Sequence, residues 1–174
     1  MFIKEKFVEL KKLNSMNNKE YYVLIPVNDE SLIIDIPVDN KLGNLRKIID
    51  KKEVEKIIKK IPNIEIASNI NDKVLENEYK MLLNDGTHES LIKIIKTTYI
   101  RNKNRLESNR KIGEKDDAYF KKAENLLYTE FSYALGKTFN ETKEYVLNKV
   151  EKNIKKSWKL IKIFFPFKYF FTII

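Results

Sequence analysis

Two short runs of β-branched and aromatic residues near the start of the chain, followed at once by a helix start, constrain the fold more than anything else in the 174 residues. Within EYYVLIPVNDESLIIDIPVDN, Glu20 to Asn40, the runs Tyr21 to Val27 and Leu32 to Val38 have the composition of strands. Asn28, Asp29 and Glu30 between them are turn formers, so the pattern predicts a hairpin. In the LRKIIDKKEVEKII that follows, the apolar residues change to helical spacing. A β element feeding an all-helical remainder makes the chain α+β.

Ordinary start and stop signals divide that remainder. Asp50 and Glu53 form a D-x-x-E capping box opening a helix to about Ile61, where Pro62 stops it, with Ile57, Ile58 and Ile61 as its apolar stripe. A second helix is expected from about Asp72 to Asn84, with Val74, Leu75, Tyr79, Leu82 and Leu83 at helical spacing and Gly86 beyond its end. Thr87 caps a third, which carries Leu91, Ile92, Ile94, Ile95 and Tyr99 and loses its pattern in the polar run Asn102 to Lys111. Gly113 introduces a fourth, Glu114 to about Leu135, with Phe120, Ala123, Leu127, Phe131 and Ala134 facing inward and Gly136 ending it. Thr138 and Glu141 make a further capping box, and the last helix repeats Leu147, Val150, Ile154, Trp158 and Ile161. These helices are expected to pack as a bundle.

Composition narrows the function classes. A 43% hydrophobic content can bury a core, and the absence of cysteine excludes disulfides, thiolate nucleophiles and cysteine-based zinc sites. No N-terminal stretch has a signal-peptide layout, so a reducing, cytoplasmic location is expected. Charge is divided unevenly: residues 1–44 hold six lysines and seven acids, a net of −1, whereas residues 45–174 hold 28 Lys or Arg and 18 acids, a net of +10. Affinity for a polyanion therefore belongs to the helical half. A lysine-rich solvated surface is the plain alternative.

Catalysis finds little to work with. The lone histidine, His88, stands at a helix start, where a surface or capping role is the ordinary one. Gly43, Gly86, Gly113 and Gly136 are isolated at turns, which leaves no phosphate-cradling loop. Carboxylates such as Asp116 and Asp117, or Glu76 and Glu78, are one or two positions apart and point in different directions on a helix, as solvated surface groups do. The residues point to recognition rather than to an enzyme with a small-molecule substrate.

The order of motifs resembles the CarD family of bacterial RNA-polymerase-binding transcription regulators. The resemblance rests on the EYYVL strand, the IPVDN strand end, LRKII, Ser68-Asn69, Asp85-Gly86 and Gly113-Glu114-Lys115, and it covers roughly Phe7 to Glu151. It implies a small Tudor-like antiparallel β domain in residues 1–44 and an all-helical, DNA-facing bundle domain in 45–152; residues 153–174 are expected to extend the last helix and end in an apolar aromatic tail. The β domain is expected to be incomplete, because Met1 to Glu5 cannot supply the family's first strand. The implied partners are the RNA polymerase β subunit, bound by strand-to-strand contact, and promoter DNA at the upstream edge of the melted region. No cofactor is implied.

Residue by residue, the resemblance places polymerase contacts at Lys12, Tyr22, Ile34 and Asp35, where Asp35 stands in place of the family's basic residue. It places DNA contacts at Ile70, Asn71, Lys73, Arg101 and Lys115, with Ile70 in the position of the family's tryptophan wedge. The tail, SWKLIKIFFPFKYFFTII, has no counterpart in the family. Lys159, Lys162, Pro166 and Lys168 interrupt it too often for a membrane span. A read-through tail is the plainer reading. A membrane-surface anchor, with Lys149, Lys152, Lys155, Lys156, Lys159 and Lys162 as its polar face, is the other reading left open.

Overall fold

The computed structural model describes residues 5–12, 20–26, 31–39, 48–67 and 71–156. The chain divides into two compact units, one ending at Lys47 and the other beginning at Ile48.

In the first unit, three strands among the described residues form an antiparallel sheet in chain order: β1 (Glu5–Lys12), β2 (Glu20–Pro26) and β3 (Ile34–Pro37). The last two are the expected hairpin: β2 begins one residue early, at Glu20, and β3 is shorter at both ends than the expected Leu32 to Val38; Val27 and the turn formers Asn28, Asp29 and Glu30 lie outside the described residues. Both strands end in proline, which cannot donate to a ladder. Tyr22 pairs with Ile36 and Leu24 with Ile34, so these four side chains share one face, where Leu24 and Ile36 are buried. Val23, opposite Asp35, is buried on the other face. β1 carries five charged residues out of eight, and a register shift between Phe7 and Glu9 inserts Val8 as a bulge. The bulge breaks the period of two, so no alternation marks β1 in the sequence; the resemblance alone implies a strand before the hairpin, with Lys12 on it. Among the described residues the sheet is open, with β1 and β3 at its edges.

The second unit is helical: α1 (Lys51–Lys60), a single 3-10 turn (Ile61–Asn63), α2 (Asp72–Asp85), α3 (His88–Glu107), α4 (Glu114–Leu135) and α5 (Phe139–Lys156). Its ends follow the capping signals. The Glu53 N–H donates to Asp50 Oδ1 at 2.8 Å, and the Asp50 N–H donates to Glu53 Oε2 at 2.9 Å. Thr138 and Glu141 repeat the arrangement before α5. α5 runs without a break past residue 152 to Lys156, in line with the helix extension expected from residue 153. Residues 157–174, with Trp158 and Ile161, lie outside the described residues.

α3 is the centre of the unit, and nearly every side chain from Leu91 to Tyr99 is buried. Against it pack Val54 and Ile58 of α1, Leu75 and Tyr79 of α2, Ala123, Leu127 and Phe131 of α4, and Val146 of α5. Val74, which falls at helical spacing in the sequence, is exposed: Leu75 and Tyr79 define the inward stripe of α2, and Val74 sits about 100° away from Leu75 around the helix. α3 also continues through the polar run to Glu107, because Arg101 and Asn102 find partners on α4 and at its start.

Gly86 and Gly136 end α2 and α4 in the left-handed conformation, at φ 59° and 63°. A Cβ built on Gly136 meets nothing within 4 Å, so only backbone conformation opposes a side chain there. Gly136→Ala is therefore expected to destabilise the chain by about 1 kcal/mol, read as a shift of the urea midpoint with an unchanged slope. A neutral result would mean that the helix end rearranges.

Candidate nucleic-acid interface

The DNA-facing candidates gather where the start of α2, the C-terminal half of α3 and the start of α4 meet. Asn71 caps α2, its Oδ1 accepting from the N–H groups of Lys73 and Val74 at 2.9 and 3.4 Å. Lys73 follows in the first turn and is exposed. Ile70 lies outside the described residues.

Arg101 is held from two sides. Its Nε donates to Asp116 Oδ2 at 3.0 Å, and its Nη2 donates to Asp72 Oδ1 at 2.5 Å, so one guanidinium ties α3 to the first turns of α2 and α4. Asp116 is 4% exposed, and its second oxygen accepts from the Tyr79 hydroxyl at 3.3 Å. Burial first, and then the Asp116 carboxylate, raise the Tyr79 phenol well above its ordinary range. Lys115, exposed beside this group, donates to Glu76 Oε2 at 2.5 Å. That bond and the one from Lys80 hold the Glu76 carboxyl below its ordinary value.

The cleft among these side chains has a volume of about 290 Å³. Arg101, Arg105 and Lys115 face Asp72, Glu76, Glu114 and Asp116 across it. Such a lining is balanced rather than cationic, and Arg101 is largely engaged by its carboxylates. The Gly113 N–H donates to the buried Asn102 Oδ1 at 3.0 Å. A Cβ on Gly113 would lie 3.2 Å from Asp116 Oδ2 and 3.3 Å from Arg105, so the glycine keeps room for this packing rather than supplying an unusual φ.

Two expectations need correcting. Asp116 is not a solvated surface carboxylate; as the third residue of α4 it turns back onto α2 and α3, while Asp117 turns outward and pairs with Lys121 at 2.8 Å. His88 is not a surface or capping residue. Thr87 provides the cap, and the His88 ring, 15% exposed, sits 3.0 Å from Glu130 Oε2 and against Phe131. The pair fastens the start of α3 to α4.

The polymerase candidates all fall in the sheet unit. Lys12 pairs with Glu20 at one end of the β1–β2 ladder. Tyr22 and Ile34 are half-buried on the face of Leu24 and Ile36, whereas Asp35 is exposed on the opposite face of edge strand β3. Tyr79 carries only a core signal in the sequence and Asn102 none; Arg105 is signalled by its spacing from Arg101, one turn apart on α3. Among the described residues, no helix is long and apolar enough to cross a membrane. In comparisons with known proteins, no family model and no curated protein matches this chain.

Proposed function

We propose that this chain is a CarD-like transcription regulator whose sheet unit docks on the RNA polymerase β subunit and whose helical unit meets promoter DNA at the upstream edge of the melted region. The observation that carries this reading is the pairing of an open-edged sheet unit, nearly neutral at net +1 over residues 1–47, with a separate, strongly basic helical unit, net +8 over residues 48–174. Residues 34–37 of β3 offer backbone groups for strand addition, and Tyr22 and Ile34 supply the apolar face beside them. Asp35 places a negative charge on that edge and weakens docking on an acidic lobe.

On the DNA side, Ile70 is the wedge against a splayed base step, and Lys73 meets phosphate. Asn71 fixes the turn between them. Arg101 and Lys115 act one step back, holding the first turns of α2 and α4 together through Asp72, Asp116 and Glu76. Tighter binding to melted than to closed DNA stabilises the open complex, and a tenfold preference corresponds to about 1.4 kcal/mol.

The test is binding of the full chain to the isolated polymerase β lobe, with a CarD protein of intact barrel as positive control. Lys12→Glu is expected to weaken binding at least ~10-fold and Asp35→Arg to tighten it by a similar factor, since each changes the charge offered to the lobe. A folded chain that does not bind the lobe, as wild type or as Asp35→Arg, overturns the reading.

A further inference from the structure

The cations of α2, α3 and α4 are for the most part neutralised where they stand. Lys80 pairs with Glu76, Lys93 with Glu78, Lys103 with Glu107, Lys115 with Glu76 and Lys121 with Asp117. α1 differs. Its ion pairs among the described residues are Lys60 with Glu89 and Glu55 with Lys149; Lys51, Lys52, Lys56 and Lys59 are exposed and form none within 4.0 Å, Lys59 acting on Glu55 only at longer range. Lys52, Lys56 and Lys59 follow one another at spacings of four and three, which places them in a single stripe. Val54 and Ile58, both fully buried, anchor the opposite side of the same helix to the core, so the stripe is held outward.

We infer that the α1 stripe is a second DNA contact, in which Lys52, Lys56 and Lys59 follow the phosphates of one strand of duplex DNA. The inference rests on the reading that the helical unit binds DNA, and it adds a face which that reading does not use. The seven steps from Lys52 to Lys59 rise ~10 Å, a length matching about three phosphates of one strand. The Lys60–Glu89 pair sets α1 beside the start of α3, whereas the Arg101 cluster lies 12 residues, or ~18 Å, further along that helix. The two faces are separate. An anionic membrane is the less suitable partner, because the apolar residues of α1 are turned into the core and leave nothing to insert.

The experiment measures the full chain on a fluorescent 30-bp duplex across a salt series. Two triple variants remove equal charge: Lys52→Gln, Lys56→Gln, Lys59→Gln, and Lys80→Gln, Lys103→Gln, Lys121→Gln from the ion-paired cations. The α1 variant is expected to flatten the plot of log affinity against log salt by about one unit per lysine, with unchanged helix content by circular dichroism. The second variant should leave the slope near wild type. Equal losses in both variants, or no loss in the first, would overturn the inference while leaving DNA binding intact. Failure of the wild type to bind the duplex would overturn the inference and the DNA reading together. Flotation with phosphatidylserine vesicles that depended on the same lysines, without duplex binding, would assign the stripe to membranes and overturn the inference.

Discussion

Replacing Asp116 with alanine is expected to destabilise the chain by about 3 kcal/mol, at the low end of the range for breaking a buried pair by removing one partner. The carboxylate is 4% exposed and serves Arg101 through one oxygen and Tyr79 through the other. Its loss strands a phenol hydroxyl and a guanidinium edge in a site that water reaches poorly. The effect stays at the low end because Arg101 keeps Asp72, and its side chain is 24% exposed. Arg101→Ala leaves the complementary defect, a buried carboxylate without its main cation. The double variant should therefore lose less than the sum of the single ones, by more than about 1 kcal/mol. Urea unfolding of the four proteins measures this cycle directly. Strict additivity would mean that Arg101 and Asp116 are neighbours without energetic coupling. The same cycle separates two roles for Arg101 in DNA binding. A direct phosphate contact would be lost on Arg101→Ala and kept in Asp116→Ala, where the guanidinium retains Asp72 alone, whereas a positioning residue would lose affinity in both.

That cluster also marks how far the amino-acid order could be read. Asp50 with Glu53, Thr138 with Glu141, and the glycines at 86 and 136 are local signals, each decided within one turn, and each is realised in the structure. What was not legible depends on partners distant in sequence. β1 is highly charged and bulged, so its strand character comes from pairing with β2 and not from an alternating pattern. The last turns of α3 are polar, and they remain helical because Asn102 holds the Gly113 N–H and Arg101 holds Asp72 and Asp116. Adjacent carboxylates at 116 and 117 look equivalent in the sequence. Only the position of Tyr79 across the interface decides which of them turns inward. For the candidate site, the cap at the start of α2 was legible, whereas the ion pairs of Arg101 and Lys115 were not, because their acidic partners come from other helices.

Stability is expected to rise, not fall, as pH increases from about 8 toward 10, through the single group Lys96. Its ammonium, on a residue 6% exposed, donates to the carbonyl of Ile61 at 3.0 Å and to those of Pro62 and Ile64, tying α3 to the 3-10 turn that follows α1. Glu151 shares the adjoining apolar cavity. Burial pushes the ammonium down to about 8 from an ordinary value of 10.5. Between those values the unfolded chain keeps a proton that the folded chain has released, and stability grows with pH wherever the unfolded state binds more protons. Below about pH 8 both states are protonated, and the unfavourable burial of charge is present in full. Buried tyrosines act in the opposite sense: Tyr99 is pushed up to about 12 by burial, so its contribution is lost only above its unfolded value of 10.0. Lys96→Met cancels these background groups. Relative to that variant, the wild type should gain about 2 kcal/mol between pH ~7.5 and pH ~10, measured by urea unfolding at each pH. A difference that stayed flat or fell would mean that the three carbonyls hold the ammonium as well as water does, and that contact with the 3-10 turn outweighs burial.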